Sequence, residues 1–303
     1  MRRLGSPREL WSRLRAFMRP GPPPALRVEQ TLYGFAQPLA GARILLSDSG
    51  LLAEALMPAA VLGAFCALFA TVSNDTPGWL GWLGAFYKIF ALLAPLPSLV
   101  FANHYARLGA MVRWRLGFGA CGPREMPMGM LIGRLIRQAL IVAVGVIPFA
   151  LVPRILPGIG PWLSNIVVAA WGIHWVVADA FDDAQVLRPG ETVRASVARD
   201  HAAPSPWFVR LLDRAAEKLP IIGRPLHKFA RLCDRLAMDS RGEIHLMEQN
   251  KFISVGFALS TAALMATPIL NLFFRPVILA ASSHLLGYLE VSEVETPTSA
   301  LAK

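Results

Sequence analysis

Long runs of apolar residues most limit what this chain can fold into. Four runs, residues 51–72, 80–101, 139–152 and 162–181, are almost free of charged side chains. About 20 helical residues, each rising about 1.5 Å, are enough to cross a hydrocarbon core about 30 Å thick. Charged residues make up only 17% of the 303 residues, whereas a soluble domain has about 25%. We therefore predict an all-α, polytopic membrane protein with about four spanning helices.

A fifth apolar region, residues 252–289, is interrupted near its middle by Pro268, Asn271, Arg275 and Pro276. Each half has about 17 residues, which is the lower limit for a complete span. The region predicts a short C-terminal hairpin, either of two spanning helices or re-entrant. Both alternatives leave the C-terminus on the side of the membrane where the region begins.

The distribution of basic residues predicts the orientation. The loops at 73–78 and 153–161 contain a single basic residue, Arg154, whereas the N-terminus and the segments 104–138 and 188–251 are strongly basic. Basic loops stay on the cytoplasmic side, so both termini are predicted to be cytoplasmic. The net charge of +10 is then explained by membrane topology, and the lipid bilayer, not a nucleic acid, is the expected partner.

The same features divide the chain into five segments. Residues 1–27 combine a basic amphipathic helix with a proline-rich linker; they fit either a helix on an anionic membrane surface or a mitochondrial presequence. Residues 28–187 are the first membrane part. Residues 188–251 form a cytoplasmic insertion with two amphipathic helices, residues 252–290 the C-terminal hairpin, and residues 291–303 a flexible tail.

No catalytic signature is present: the chain has no phosphate-binding loop, no GxSxG motif and no spacing typical of metal ligands. No enzyme activity, cofactor or metal is therefore predicted. Polar residues within apolar runs are the better guide, because charge in hydrocarbon costs several kcal/mol. His174 fits a structural hydrogen bond better than a proton relay. Arg275, beside the helix break, would either attract an anion or be an interfacial arginine at an ordinary turn.

Three aspartates, Asp179, Asp182 and Asp183, end the fourth run. They are predicted at the cytoplasmic end of that helix, where they would either be solvated or pair with Arg134 or Arg137 at the matching end of the third run.

Three short motifs, in this order along the chain, resemble the CysZ-type sulfate permease and etoposide-induced-protein family. The first leads from Gly34-Phe35 to Asp48-Ser49-Gly50-Leu51 and Leu56-Met57-Pro58; the second is the stretch from Ala178 to Asp183; the third joins the Pro-x-x-Asn segment 267–276 to the small residues of 280–285. The resemblance covers roughly residues 30–186 and 250–290. It implies spanning helices together with hairpins that only partly penetrate the membrane, assembled into homo-oligomers. For the bacterial permeases it implies sulfate uptake that feeds cysteine synthesis.

The chain departs from this family in two places. The permeases carry an arginine, at a sulfate-contacting position, after the Gly-Leu that precedes the first membrane helix. Here the sequence reads Gly50-Leu51-Leu52, so that cation is missing. The segment 188–251 is also longer than is usual in the family. Fold and membrane location therefore follow from the resemblance better than the substrate does.

The resulting hypothesis is an inner-membrane permease or channel for a small anion, with sulfate as the first candidate. The alternative is a non-transporting scaffold whose basic amphipathic helices bind anionic lipid or a cytoplasmic partner. The residues predicted to lie near a transport path are Asn271, Arg275, Asp182, Asp183 and His174, and the loop before the first membrane helix comprises Gly50, Leu51 and Leu52.

Overall fold

The chain is almost entirely helical. The structure, a computed structural model, describes residues 7–73, 78–93, 100–119, 121–219, 222–265 and 274–294. Within these ranges the strands are limited to a two-residue antiparallel pair, β1 (Gly122–Pro123) and β2 (Val186–Leu187). The predicted all-α class is confirmed.

Three helices in the described ranges have the length and composition needed to cross a membrane: Ser49–Ser73, the continuous stretch Met128–Arg154, and Gly160–Asp183. They correspond to the first, third and fourth predicted runs. The second run begins as the 15-residue helix Trp79–Leu93, which at 1.5 Å per residue is about 22 Å long and shorter than a complete span. Residues 94–99, which would continue it, lie outside the described part.

The helices form two apolar hairpins and a more compact base. The hairpins are α3 (Ser49–Ser73) with α4 (Trp79–Leu93), and α6 (Met128–Gly145) and α7 (Ile147–Arg154) with α8 (Gly160–Asp183). The base contains α1 (Pro7–Phe17), α2 (Arg27–Ser47), α5 (Ala102–Arg115), α13 (Lys251–Met265) and α14 (Phe274–Val294). Four further helices, α9 (Val193–Ala202), α10 (Trp207–Lys218), α11 (Gly223–Leu236) and α12 (Arg241–Gln249), follow α8.

Both hairpins expose large apolar side chains. In α3, Leu68 is 63% and Val72 is 80% exposed, and in α6 and α7, Ile136 is 55% and Val152 is 65% exposed. Exposed apolar surface of this extent on neighbouring turns is not expected of a helix that faces water. These faces are suited to contact with lipid chains.

In the base, α2 crosses α13 at very short distance through glycines. A Cβ atom on Gly256 would lie 2.0 Å from the carbonyl oxygen of Thr31, and one on Gly34 would lie 2.1 Å from the carbonyl oxygen of Ile253. Only glycine allows the two backbones to approach this closely. Small residues at helix crossings are typical of membrane helices, where packing takes over from the hydrophobic effect.

Helix α14 also packs on α2 and carries a buried polar contact. The Nδ1 atom of His284 lies 2.7 Å from the Oε1 atom of Gln37, and the backbone N–H of Gly21 donates to His284 Nε2 at 3.1 Å. Because the Gln37 oxygen accepts, Nδ1 carries the proton and Nε2 is free to accept. Tyr33 donates to the carbonyl of Gly21 at 2.7 Å. These contacts fix the proline-rich linker to the base.

The segment 188–251 packs directly on the second hairpin. Helices α10 and α11 pack against each other, and the buried Phe208 of α10 contacts Trp171 of α8 with ring centroids 5.0 Å apart. Helices α10 and α11 lie where the two amphipathic helices were predicted.

Candidate functional site

Arg124 is the centre of a cluster of buried charges at the base of the second hairpin. The pairing of Pro123 with Val186 places Arg124 beside Gln185, whose Oε1 atom accepts from the guanidinium at 2.6 Å. The same guanidinium lies 2.5 Å from Asp200 and 3.3 Å from Asp182. Arg124 is only 3% exposed, so its charge depends on these partners.

Arg134 of α6 completes this cluster. Its NH2 group lies 2.7 Å from Asp182 and 3.4 Å from Glu243. We call the five residues Arg124, Arg134, Asp182, Asp200 and Glu243 the buried ion cluster. It joins α6 and α8 to the segment 188–251, since Asp200 and Glu243 belong to α9 and α12.

The buried ion cluster contains three carboxyl groups and two guanidinium groups. Glu243 is fully buried; its Oε1 atom accepts from Gln185 at 2.9 Å, and its Oε2 atom has no hydrogen-bond partner within the described structure. Burial, and then the charges of Asp200 and Asp182, raise the pKa of Glu243 well above its usual value. The fold therefore disfavours the charged form of this carboxyl group.

Asp239, next to this cluster, behaves differently. It lies 2.5 Å from Arg137 and 2.7 Å from His201. Burial alone would raise the pKa of Asp239, but the hydrogen bonds from Arg137 and His201 hold it below its usual value. Asp239 is thus a stable carboxylate, and it ties α6 to the segment 188–251.

Arg275 is paired with two carboxylates of α8. Its NH2 group lies 3.2 Å from Asp179 and 2.7 Å from Asp183, and its guanidinium lies over the ring of Tyr105 at 5.2 Å. The structure thus places Arg275 next to Asp183, two of the residues predicted to lie near a transport path. Because two carboxylates surround the guanidinium, however, it is poorly suited to attract an anion.

The other predicted path residues lie elsewhere. Asp182 pairs with Arg134, one of the two partners predicted for the α8 aspartates, whereas Asp179 and Asp183 pair with Arg275. His174 lies between Trp171 and Trp207, with ring centroids 6.1 and 6.3 Å away, and does not contact Arg275. Asn271 lies outside the described residues.

The loop before α3 adjoins a small polar pocket. Asp48 caps α3, since its Oδ1 atom accepts from the backbone N–H groups of Gly50 at 2.9 Å and Leu51 at 3.1 Å. Its Oδ2 atom lies 3.1 Å from the Nε atom of Arg115. The pocket has a volume of about 240 Å³. It is lined by Pro20, Arg43, Ile44, Ser47, Asp48, Leu51, Arg115 and Leu116; we call it the arginine pocket.

The arginine pocket has an excess of positive charge. Its charged lining consists of Arg43, Arg115 and a single carboxylate, Asp48. Arg43 is exposed and forms none of the ion pairs found in the described part of the chain. Sequence reasoning missed this pocket because its two arginines lie on different helices, α2 and α5, and no local pattern connects them.

Sequence reasoning also missed Arg124, Asp200 and Glu243. No local signal singles these carboxylates out, because the segment 188–251 also contains Glu191, Asp213, Glu217, Asp234 and Glu248. No group of three or more His, Cys, Asp or Glu residues within the described ranges is arranged to hold a metal ion.

Comparisons with protein-family models, with curated proteins and with solved structures find no match to this chain.

Proposed function

We propose that the chain is a multi-pass inner-membrane protein that conducts a small anion, with sulfate as the first candidate, and that the arginine pocket is where the anion binds. The excess of guanidinium groups over carboxylates in this pocket is the observation that carries the proposal.

Membrane insertion is supported by two features of the fold. The two hairpins expose large apolar side chains over many turns, and the base is held by close crossings at glycines. Both features suit helices that are solvated by lipid chains. The cytoplasmic location of both termini rests on the basic loops, and assembly into homo-oligomers rests on the family resemblance.

Anion binding is supported by the chemistry of the pocket. Guanidinium groups present several N–H donors in a plane and can bind tetrahedral oxyanions through two parallel hydrogen bonds. Arg43 and Arg115 supply two such groups, and Asp48 neutralises only one unit of their charge. Arg275, by contrast, is matched by Asp179 and Asp183.

The arginine pocket lies beside the loop in which the family resemblance implies a cation that this chain lacks. The family resemblance implies a cation after Gly50-Leu51, where this chain has Leu52. Arg43 from α2 and Arg115 from α5 line a pocket that reaches Leu51, so two neighbouring helices bring positive charge to the same loop. This arrangement would replace the arginine that the loop itself lacks.

Uptake of radiolabelled sulfate into proteoliposomes tests the proposal. The purified wild type should accumulate label that unlabelled sulfate suppresses, and the double variant Arg43→Gln/Arg115→Gln should lose most of this uptake. Arg231→Gln, which removes an exposed arginine of α11 far from the pocket in the sequence, is the matched control and should transport normally.

No uptake by the wild type, with insertion verified by protease protection, would contradict the permease proposal. Normal uptake by the double variant would contradict the assignment of the pocket.

A membrane scaffold is the second candidate, favoured by the surface of α11. Its exposed side chains include four basic residues and an apolar one: Arg224, Lys228, Arg231, Arg235 and Leu232. Such a surface suits anionic lipid or an acidic partner. The scaffold proposal predicts no sulfate uptake, whereas neutralising these four basic residues should weaken binding of the protein to anionic lipid.

A further inference from the structure

A large apolar groove lies between α8 and α13, and the start of α10 closes one of its ends. Its volume is about 860 Å³, within the range of sites that hold small organic molecules. The walls come mainly from Val167, Ala170 and Ile173 of α8 and from Val255 and Leu259 of α13. We call it the α8–α13 groove. In helices that lie against lipid, a groove of this composition would be filled by hydrocarbon.

One part of the groove is polar and carries an excess positive charge. Arg210, Glu248 and Lys251 line it there. Arg210 is bonded to Glu248, and the backbone N–H of Trp207 also donates to Glu248 at 2.7 Å. Lys251 is exposed and takes part in no ion pair within the described structure. The groove therefore offers one uncompensated cation beside an apolar wall.

His174 contributes an unsatisfied polar atom to the same groove. Its Nε2 atom is inaccessible to solvent and has no hydrogen-bond partner in the described part of the chain. The ring is held between Trp171 and Trp207, so it cannot readily turn away. A buried polar atom without a partner is destabilising. A ligand with a polar group next to its hydrocarbon chain would remove this cost.

We propose that the α8–α13 groove binds one anionic phospholipid of the surrounding bilayer. An acyl chain lies along the apolar wall, the phosphate lies at Lys251, and the ester or glycerol oxygens lie near His174. Two observations agree with this occupant: the apolar wall matches the acyl chain, and the cation of Lys251 matches the phosphate. The inference requires the chain to be in a membrane but does not depend on transport.

Native mass spectrometry of the full chain in detergent tests this site. Phosphatidylglycerol and phosphatidylcholine with identical acyl chains are added separately, and the retained lipid is counted for each protein chain. The wild type should retain one phosphatidylglycerol at concentrations where phosphatidylcholine is largely lost. Lys251→Gln should weaken the retention of phosphatidylglycerol about fivefold, the effect of about one basic residue near an anionic headgroup.

Two further variants separate the groove from general surface charge. Ala170→Phe places a ring in the groove from an exposed position and should abolish retention without removing any charge. Lys218→Gln removes an exposed lysine at the end of α10, outside the residues that line the groove, and should leave retention unchanged. Circular dichroism and gel filtration establish that each variant is folded.

Three results would overturn the proposal. The first is equal retention of the two lipids, unaffected by Lys251→Gln and Ala170→Phe. The second is a loss caused by Lys251→Gln but not by Ala170→Phe, which would indicate a surface headgroup contact without an acyl-chain site. The third is a change in oligomer mass in Ala170→Phe with lipid retention intact, which would make the groove a contact between copies of the chain.

Discussion

The buried ion cluster and the arginine pocket both contain two arginines but differ in how these charges are matched. In the cluster, Arg124 and Arg134 are almost completely buried and face three carboxyl groups. In the pocket, Arg43 and Arg115 are open to solvent and face only Asp48. The number of arginines therefore does not distinguish the buried ion cluster from the proposed anion site.

The balance of charge does distinguish them. A buried arginine costs several kcal/mol unless carboxylates and hydrogen bonds compensate for its lost hydration. In the buried ion cluster, the carboxyl groups outnumber the guanidinium groups. Its two arginines are therefore compensated and connect helices. The pocket leaves one positive charge without a partner from the chain, so an anion from solution can complete it. Arg275, which is paired with Asp179 and Asp183, resembles the compensated arginines of the buried ion cluster.

The largest difference between the two regions should appear in stability. Arg134→Met removes a guanidinium that is 7% exposed and leaves Arg124 alone to compensate the three carboxyl groups of the cluster. We expect the free energy of unfolding to fall by about 3–5 kcal/mol, measured by chemical unfolding in mixed micelles and followed by circular dichroism. Arg43→Met, the matched change in the arginine pocket, should leave the free energy of unfolding unchanged. Equal losses in the two variants would remove the distinction between the sites.

Within the cluster region, the two acidic residues Glu243 and Asp239 should respond differently to neutralisation. At pH 7.5, Asp239→Asn should cost about 1–3 kcal/mol, because it weakens the hydrogen bonds with Arg137 and His201. Glu243→Gln should cost clearly less, because the raised pKa of Glu243 means that the fold stabilises its charge poorly. Unfolding of both variants beside the wild type measures these losses, and a larger loss in Glu243→Gln would contradict the raised pKa.

The pH dependence of these two groups has opposite signs. The pKa of Asp239 is lowered in the fold, so its stabilising contribution is complete above about pH 4 and is lost as the pH falls through the lowered value. The pKa of Glu243 is raised, so its contribution is complete below about pH 4 and is lost as the pH rises through the raised value. Since glutamine does not titrate, Glu243→Gln should gain stability relative to the wild type as the pH rises. A relative loss over this range would show that the sign is wrong.

In the arginine pocket, neutralising the carboxylate of Asp48 should have a smaller effect than the changes in the cluster, and it should strengthen an interaction where those changes weaken one. Asp48→Asn keeps an oxygen that can cap α3 but removes the charge that opposes an anion. We expect sulfate to bind about two- to fivefold more tightly, the effect of one exposed charge pair, as measured by equilibrium dialysis at constant ionic strength. Weaker binding would indicate that Asp48 positions Arg115 and does not compete with the anion.

Much of the fold could be predicted because apolar runs and amphipathic spacing are local signals. The runs at 51–72, 139–152 and 162–181 all lie in long helices, and α10 and α11 appear where their apolar residues recur. The second run is described as the 15-residue helix Trp79–Leu93, and residues 94–99 lie outside the described part.

The sites were harder to predict because their members are distant in the sequence. Asp182 and Arg134 could be matched, since both lie at the same end of a predicted helix pair. Arg124 is paired with Asp200, and Arg43 lines the same pocket as Arg115. Neither relation could be predicted from the spacing of these residues along the chain. Asp179 and Asp183 were predicted as a cytoplasmic feature, but only the folded chain shows that they neutralise Arg275.

Equilibrium dialysis of radiolabelled sulfate against the purified full chain tests the central claim most directly. The samples are the wild type, the double variant Arg43→Gln/Arg115→Gln and the control Arg231→Gln, all at the same ionic strength. Charge-assisted hydrogen bonds contribute about 1.5–3 kcal/mol each, so the double variant should bind sulfate at least about tenfold more weakly, while the control binds normally. Undiminished binding by the double variant would contradict the account, because the uncompensated arginines would then not form the anion site.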